Sequence, residues 1–301
     1  MSVPPYNRRM ARGFAATPPF GGPEAAAAFD DAAAAVLPVP YEATVSYGGG
    51  TARGPEAILD ASTQVELYDE QLGREPFRAG IWTDAPLDVA GTTEQVVARI
   101  RERVARLMDA GKWVLMLGGE HSITPGAVAA AASRHSGLRV VQLDAHADLR
   151  EEYEGDRWSH ACAMARCLDL GVTLTAIGIR NYSAGEARRI GAGIPGYRIV
   201  HGWELRDHAR IERALEGVDG HPVYLTVDVD YFDPGIVPAT GTPEPGGGAW
   251  WPTLELLDGL FARANVVACD VVELAPAPGL HHADFAAARL AYKLIGLRFP
   301  R

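Results

Sequence analysis

Cysteine is scarce in this chain. The three residues, Cys162, Cys167 and Cys269, are odd in number and have no CxxC spacing. That argues against a disulfide framework or a thiolate zinc site and fits a reducing cytoplasm. Lysine is scarcer still, occurring only at Lys112 and Lys293. With 28 basic against 38 acidic side chains the net charge is −10, so the chain lacks the basic surface that nucleic acid or an anionic membrane attracts. No apolar run reaches the roughly 20 residues that span a bilayer. Arg8 and Arg9 are followed by no apolar signal segment. A Walker loop, an HExxH pair and a GxSxG elbow are also absent. Gly191-Ala192-Gly193-Ile194-Pro195-Gly196 matches GxGxxG in letters only. It leaves a helical stretch for a strand, the reverse of dinucleotide-binding order, and Pro195 removes a donor. The expectation is a soluble, cytoplasmic protein whose partner is a small molecule.

The composition, 48% apolar and 22% charged over 301 residues, is that of a globular chain with a large core. Residues 1–31 are rich in Pro, Ala and Gly without a period, and read as a tail, loose or tied down at a subunit contact. The remaining stretch, 32–301, reads as one domain. Apolar, β-forming runs occur at Ala34–Val39, Arg78–Trp82, Trp113–Leu117, Leu138–Leu143, Thr173–Ile179, Tyr197–Val200, Val223–Val227 and Val266–Val272. Helical stretches separate them at Thr93–Ala110, Pro125–Arg134, Ala161–Asp169, Ala184–Gly191, Leu205–Leu215, Thr253–Ala264 and Asp284–Gly296. Strands apolar on both faces and separated by helices predict a parallel sheet covered on each side, a three-layer α/β domain.

Polar residues then gather where three strands end. Trp-Val-Leu-Met-Leu runs into Gly-Gly-Glu-His at 118–121, Val-Val-Gln-Leu into Asp-Ala-His-Ala-Asp at 144–148, and Val-Tyr-Leu-Thr-Val into Asp-Val-Asp at 228–230. Open parallel sheets bind ligands at the carboxyl ends of their strands, so His121, Asp144, His146, Asp148, Asp228 and Asp230 converge on one edge. On extended chain, residues i, i+2 and i+4 face the same way, which aims Asp144, His146 and Asp148 into one cavity. A single strand-end Asp is ordinarily a helix cap, but capping does not explain three such motifs. So many buried carboxylates repel one another unless cations neutralise them. Mixed oxygen and imidazole donors suit Mn²⁺, Fe²⁺, Co²⁺, Ni²⁺ or Zn²⁺, and the oxygen-rich balance favours Mn²⁺.

Gly-Gly-Glu-His-Ser (118–122), Asp-Ala-His-Ala-Asp (144–148), Ser-His (159–160), Asp-Val-Asp-Tyr-Phe-Asp-Pro (228–234), Gly-Thr-Pro-Glu-Pro-Gly-Gly (241–247) and Glu273 together resemble the ureohydrolase family of arginases and agmatinases. The resemblance spans about residues 32–298 and keeps the family's motif order. Glu120 departs from the Asp that many members carry. The resemblance implies a three-layer α/β/α sandwich around a mostly parallel eight-stranded sheet. It also implies two Mn²⁺ ions per chain, one held by His121, Asp144, Asp148 and Asp228. Asp144, His146, Asp228 and Asp230 hold the other, so Asp144 and Asp228 bridge. Trimers or hexamers are common in the family. His160 is expected to act as acid/base or to touch substrate, and Glu273 to accept guanidinium N–H bonds, for which a planar fork suits a carboxylate. Asp270 is expected to brace the site.

Two ions sharing one water lower its pKa and set hydroxide against a guanidinium carbon, with Asp148 placed to orient it. The departing amine then needs a proton, which a mobile His supplies. The loop 149–160 sets the substrate. Its Glu151-Glu152-Tyr153-Glu154-Gly155-Asp156-Arg157-Trp158 is acidic, attracting a cationic tail and repelling a carboxylate. Tyr153 and Glu154 are the candidate substrate contacts, in a Tyr-Glu-Gly-x-x-x-Ser-His pattern similar to agmatinases. The expected reaction splits agmatine into putrescine and urea. Arg157 keeps guanidinobutyrate open as a substrate, and the same chemistry extends to arginine, guanidinopropionate or a formimino compound. A non-catalytic, metal-stabilised subunit is the rival from another class; it needs neither His160 nor Glu273.

Overall fold

The computed structural model of the chain describes residues 18–300. Eight strands form one sheet: β1 (Ala34–Val39), β2 (Ile81–Thr83), β3 (Trp113–Gly118), β4 (Arg139–Leu143), β5 (Thr173–Ile179), β6 (Tyr197–His201), β7 (Pro222–Asp228) and β8 (Asn265–Val272). Their order is β2-β1-β3-β8-β7-β4-β5-β6, and every neighbouring pair is parallel. The helices are α1 (Gly54–Ser62), α2 (Thr93–Asp109), α3 (Thr124–Ala132), α4 (Ala163–Leu168), α5 (Ala184–Ala192), α6 (His208–Ala214), α7 (Trp250–Arg263) and α8 (His281–Arg298). No described helix is long and apolar enough to cross a membrane.

Alternation along each strand feeds two cores. Ala34 and Val36 of β1, with Trp113, Leu115 and Leu117 of β3, pack on one face with Ile58 of α1, Leu257 of α7 and Leu294 of α8. Ala35, Leu37, Val114 and Met116 point the other way, onto Val96 and Ile100 of α2, Val128 of α3 and Met164 beyond them. Burial on both faces is why these strands read as continuous apolar runs. Helix α2 starts at a capping box, Thr92 accepting from Gln95 N–H while the Gln95 side chain accepts from Thr92 N–H. It buries Val96, Ile100, Val104 and Leu107.

The structure departs from the sequence pattern at four places. Of the run Arg78–Trp82 only Ile81 and Trp82 are strand, which continues to Thr83, because Pro76 opens a 3₁₀ turn over Pro76–Ala79 and Gly80 turns the chain at φ 78°. The stretch Leu205–Leu215 is helical only from His208, after the Asp207 carboxylate caps Ala209 N–H. Ala161–Asp169 divides into a 3₁₀ turn at His160–Cys162 and a short α4. Helix α1 has no counterpart in the pattern at all; Gly54 and Pro55, which read as loop, are its first residues. Residues 18–31 are not loose. Phe20 is buried, its N–H bonds to Thr83 Oγ1, and Ala27 N–H pairs with Ile81 O along the edge of β2. The rest of the expected tail, 1–17, lies outside the described residues.

The fold carries the central strands β3, β8, β7 and β4 side by side, so everything that follows their carboxyl ends shares one edge. The tightest point is Gly119, where a Cβ would stand 1.8 Å from Tyr41 O. Its backbone N–H donates to Val39 O, and Gly119 O accepts from Glu273 N–H. Three chain segments therefore cross at a position with no space for a side chain. Gly119→Ala is expected to destabilise the fold by about 3 kcal/mol, since the clash is with backbone rather than a flexible side chain. Equilibrium urea denaturation measures it; a midpoint unchanged from the parent would disprove the constraint.

Candidate metal centre

His121 follows β3 in a 3₁₀ turn, Asp144 follows β4, and Asp228 is the last residue of β7. Asp144, at zero exposure, belongs to both clusters in which metal-ligating atoms draw together, His121–Asp144–Asp148 and Asp144–His146–Asp230. His121 Nδ1 stands 3.0 Å from Asp148 Oδ2, 3.1 Å from Asp144 Oδ2 and 3.5 Å from Asp228 Oδ2. His146 Nδ1 stands 2.8 Å from Asp230 Oδ2. Asp228 thus borders the first cluster without entering either of the tight groups.

These positions are reached by turns more than by strand alternation. Asp228 Oδ1 accepts from Asp230 N–H at 2.9 Å and caps a 3₁₀ turn, which swings Asp230 back beside it. Asp144 Oδ1 accepts from His146 N–H at 2.6 Å, and Ala145 N–H donates to Asp230 Oδ1 at 3.0 Å. Asp148 has φ 50° and Glu273 φ 66°, a left-handed backbone that non-glycine residues rarely adopt. Such conformations persist where surrounding bonds hold them. Asp148 O accepts from Met164 and Ala165 N–H, and Glu273 N–H donates to Gly119 O.

Electrostatics show what the centre lacks. Burial pushes the Asp144 carboxyl up to about 7, helped by Asp230 and Asp148. Asp228 rises well above its ordinary range from burial and the same kind of repulsion, by Asp230 and Asp144. Burial works to lower His121, yet Asp144, Asp148 and Asp228 hold it well above its usual value. His146 is likewise held up at about 11 against its own desolvation, chiefly by Asp230. Acids and imidazoles raised together mark a pocket whose negative charge favours a cation.

His121 Nδ1 makes no hydrogen bond of acceptable direction, although three carboxylate oxygens surround it at ion-pair distance. The ring nitrogen thus faces three oxygens without bonding to any one of them. Ligand atoms about 2.1 Å from one octahedral ion lie about 3 Å apart at right angles, which matches the 3.0 and 3.1 Å separations. A divalent ion fits where a proton fits poorly.

A second layer orients these groups. His121 Nε2 meets Thr226 Oγ1 at 2.9 Å. Asp270, fully buried in β8, lies beside Thr226 and accepts from Thr124 Oγ1 at 2.8 Å and Tyr224 OH at 2.6 Å. Asp270 thus stands beside the Thr226 hydroxyl that meets the His121 ring. Gln142 Nε2 donates to Asp144 Oδ2 at 2.7 Å and to His146 O at 3.0 Å. Sequence reasoning missed Thr226 and Gln142, which look like ordinary strand residues; their only signal is polarity inside otherwise apolar strands.

Above the ligands opens a cavity of about 200 Å³ lined by His146, Asp148, Asp228, Asp230, Glu273 and His160, with His121 and Asp144 buried behind them. Glu273 Oε1 accepts from His121 N–H at 2.6 Å. Burial, and then Glu120, raise the Glu273 carboxyl well above its ordinary value. Tyr153 lines the cavity beside His160, ring centroids 6.0 Å apart. Glu154 does not line it: at φ 51° it forms the exposed tip of the turn. The acidic loop is also less free than its sequence reads. Glu151 pairs with Arg166 at 3.0 Å and Arg189 at 2.7 Å, while Arg157 pairs with Asp169 at 3.3 Å, off the cavity. Arg150 lines the wall instead, over the Tyr153 ring and 3.8 Å from Glu186. His281 and His282 open α8 and take no part in the lining.

The sequence model of the arginase family matches residues 32–296. The chain belongs to the arginase family. Among curated relatives it is 42% identical to the N(1)-aminopropylagmatine ureohydrolase of Synechocystis sp., over 91% of each chain. It is 35% identical to the agmatinase of Bacillus anthracis, over 82% of this chain and 85% of that one. The crystal structure of agmatine ureohydrolase of Thermoplasma volcanium superposes with a TM-score of 0.83 at 30% identity, covering 97% of both chains. The eight-stranded parallel sheet is thus the arginase-like fold, and the chain is a hydrolase of the ureohydrolase family.

Because facing carboxylates raise His121 and His146 while burial raises Asp144 and Asp228, an incoming cation competes with protons for these groups. Apparent Mn²⁺ affinity is expected to rise from pH 6.5 to 8.5, with net proton release read by calorimetry in buffers of different ionisation enthalpy. Equal affinity at both pH values, without proton release, would disprove that competition.

Proposed function

We propose that this chain is a binuclear Mn²⁺ ureohydrolase that removes urea from a cationic aminoalkyl guanidine, N(1)-aminopropylagmatine, with agmatine as the shorter alternative. The observation carrying the chemistry is the pair of ligand clusters joined at Asp144 beneath a cavity that also exposes Glu273 and His160. His121, Asp144, Asp148 and Asp228 would hold one ion, and Asp144, His146, Asp228 and Asp230 the other. The substrate reading is supported by the 42% identity to the Synechocystis enzyme of that name, against 35% to the Bacillus anthracis agmatinase. It moves the expectation from agmatine to a longer amine. The pairing of Arg157 with Asp169, off the cavity, weighs against an anionic guanidino acid.

When bound, the two ions supply a water that ionises near neutral pH and positive charge for the developing negative charge. The chain's residues do the rest. Glu273 Oε1 is occupied by His121 N–H, so Oε2 is the oxygen left to receive guanidinium N–H groups. Asp148, rigid in its left-handed turn, orients the attacking group. As the C–N bond breaks, its electron pair goes to the amine nitrogen and His160 delivers a proton there. The guanidino carbon, bonded to the attacking oxygen in place of the alkyl nitrogen, departs as urea, and the amine product is a triamine from N(1)-aminopropylagmatine or putrescine from agmatine.

Urea release by Mn²⁺-loaded protein from N(1)-aminopropylagmatine, agmatine, arginine, guanidinobutyrate and guanidinopropionate tests the reading. The expected order of kcat/KM places the first two highest and arginine lowest; a preference for arginine would overturn it. His160→Ala is expected to keep two metals per chain and lose roughly 10²- to 10⁴-fold in kcat, whereas Asp228→Asn loses metal and activity together. Normal turnover by His160→Ala would remove it from the reaction.

A further inference from the structure

The loop after β1 brings Thr44 across 116 residues of sequence to His160, and Thr44 enters neither the ligand clusters nor the cavity lining. Its hydroxyl lies 3.1 Å from His160 Nδ1 and accepts from His160 N–H at 2.9 Å. The same hydroxyl donates to Glu120 Oε1 at 2.8 Å. Glu120 has no exposed surface and is filled with donors: Ala43 N–H and Thr44 N–H at 2.7 Å on Oε2, and Ser122 Oγ at 2.6 Å on Oε1.

We propose that Thr44 is a positioning residue that fixes the proton of His160 on Nδ1 and turns Nε2 toward the leaving amine. A hydroxyl has one proton, and this one is committed to Glu120. Toward Nδ1 the Thr44 oxygen is therefore an acceptor, so Nδ1 carries hydrogen. Among the described residues nothing engages Nε2, which leaves it for substrate. When the imidazolium gives its Nε2 proton to the amine, Nδ1 keeps its own on Thr44 and the ring stays in place. Ser159 Oγ is the competing neighbour of Nδ1, at the longer distance of 3.3 Å. The buried Glu120 carboxylate thus acts through the Thr44 hydroxyl on the ring that handles the proton.

This inference rests on the reading of His160 as proton donor, and its test separates the two. Protein ¹⁵N-labelled at histidine and loaded with diamagnetic Mg²⁺ gives the tautomer of His160 by NMR, assigned by the signal lost in His160→Gln, with no need for turnover. The parent and Thr44→Ser are expected to show the Nδ1–H form, and Thr44→Val to lose that preference. In the Mn²⁺-loaded enzyme, kcat of Thr44→Val should fall at least roughly tenfold, with KM and metal content held and Thr44→Ser restoring turnover. An Nε2–H form in the parent, an unchanged tautomer in Thr44→Val, or a tautomer that follows Ser159→Ala instead would overturn the proposal. If the tautomer behaves as stated but His160→Ala turns over normally, the proton-donor reading fails and the positioning of the ring stands.

Discussion

Four aspartates and a glutamate buried around two imidazoles repel one another, and the rest of the molecule is arranged to contain that repulsion. Asp144, Asp228 and Glu273 are all driven far from their ordinary protonation by burial and by neighbouring carboxylates. Flexible loops would splay under that load. Here the residues issue from the ends of four adjacent strands, β3, β8, β7 and β4, each hydrogen-bonded to the next. The sheet cannot yield without breaking its own ladder. The field of the cluster therefore falls on whatever cation or proton occupies it.

Backbone geometry completes what the sheet begins. Gly119 allows three segments to cross where any Cβ would collide with Tyr41 O. Asp148 and Glu273 accept a left-handed backbone, each anchored by main-chain hydrogen bonds, so Asp148 joins the ligand cluster and Glu273 lines the cavity. Threonine hydroxyls then meet two of the imidazoles: Thr226 stands against His121, and Thr44 links His160 to the buried Glu120. These links give the site rigidity that its metal ligands alone do not provide.

The surface loop over the cavity follows different rules. Its formal acidity suggested direct attraction for an amine, but Glu151 spends its charge on Arg166 and Arg189, and Glu154 faces solvent. The wall that remains combines Tyr153, Arg150 and Glu186, whose Oε2 already accepts from Ser183 N–H and Oγ at 2.7 Å. Specificity in such a loop depends on which charges are left over after internal pairing, and a count of Glu residues does not contain that information.

The sequence alone determined the parallel sheet and its metal edge, because both rest on local rules. Runs such as Trp113–Leu117 and Val223–Val227 are apolar on both faces, and the Asp and His residues directly follow them. It also carried His160 and Glu273, through motifs that keep the family's order. Helix α1 was illegible because Gly54 and Pro55 at its start read as loop, and tertiary packing on α8 overrode that local signal. Only the tertiary structure decided that Asp230 arrives by a 3₁₀ turn, that Thr44 meets His160, and that Thr226 meets His121. Those relations join residues about 40 to 150 positions apart or depend on a single backbone angle. No local period encodes such distances; they exist once eight strands have fixed where each loop begins.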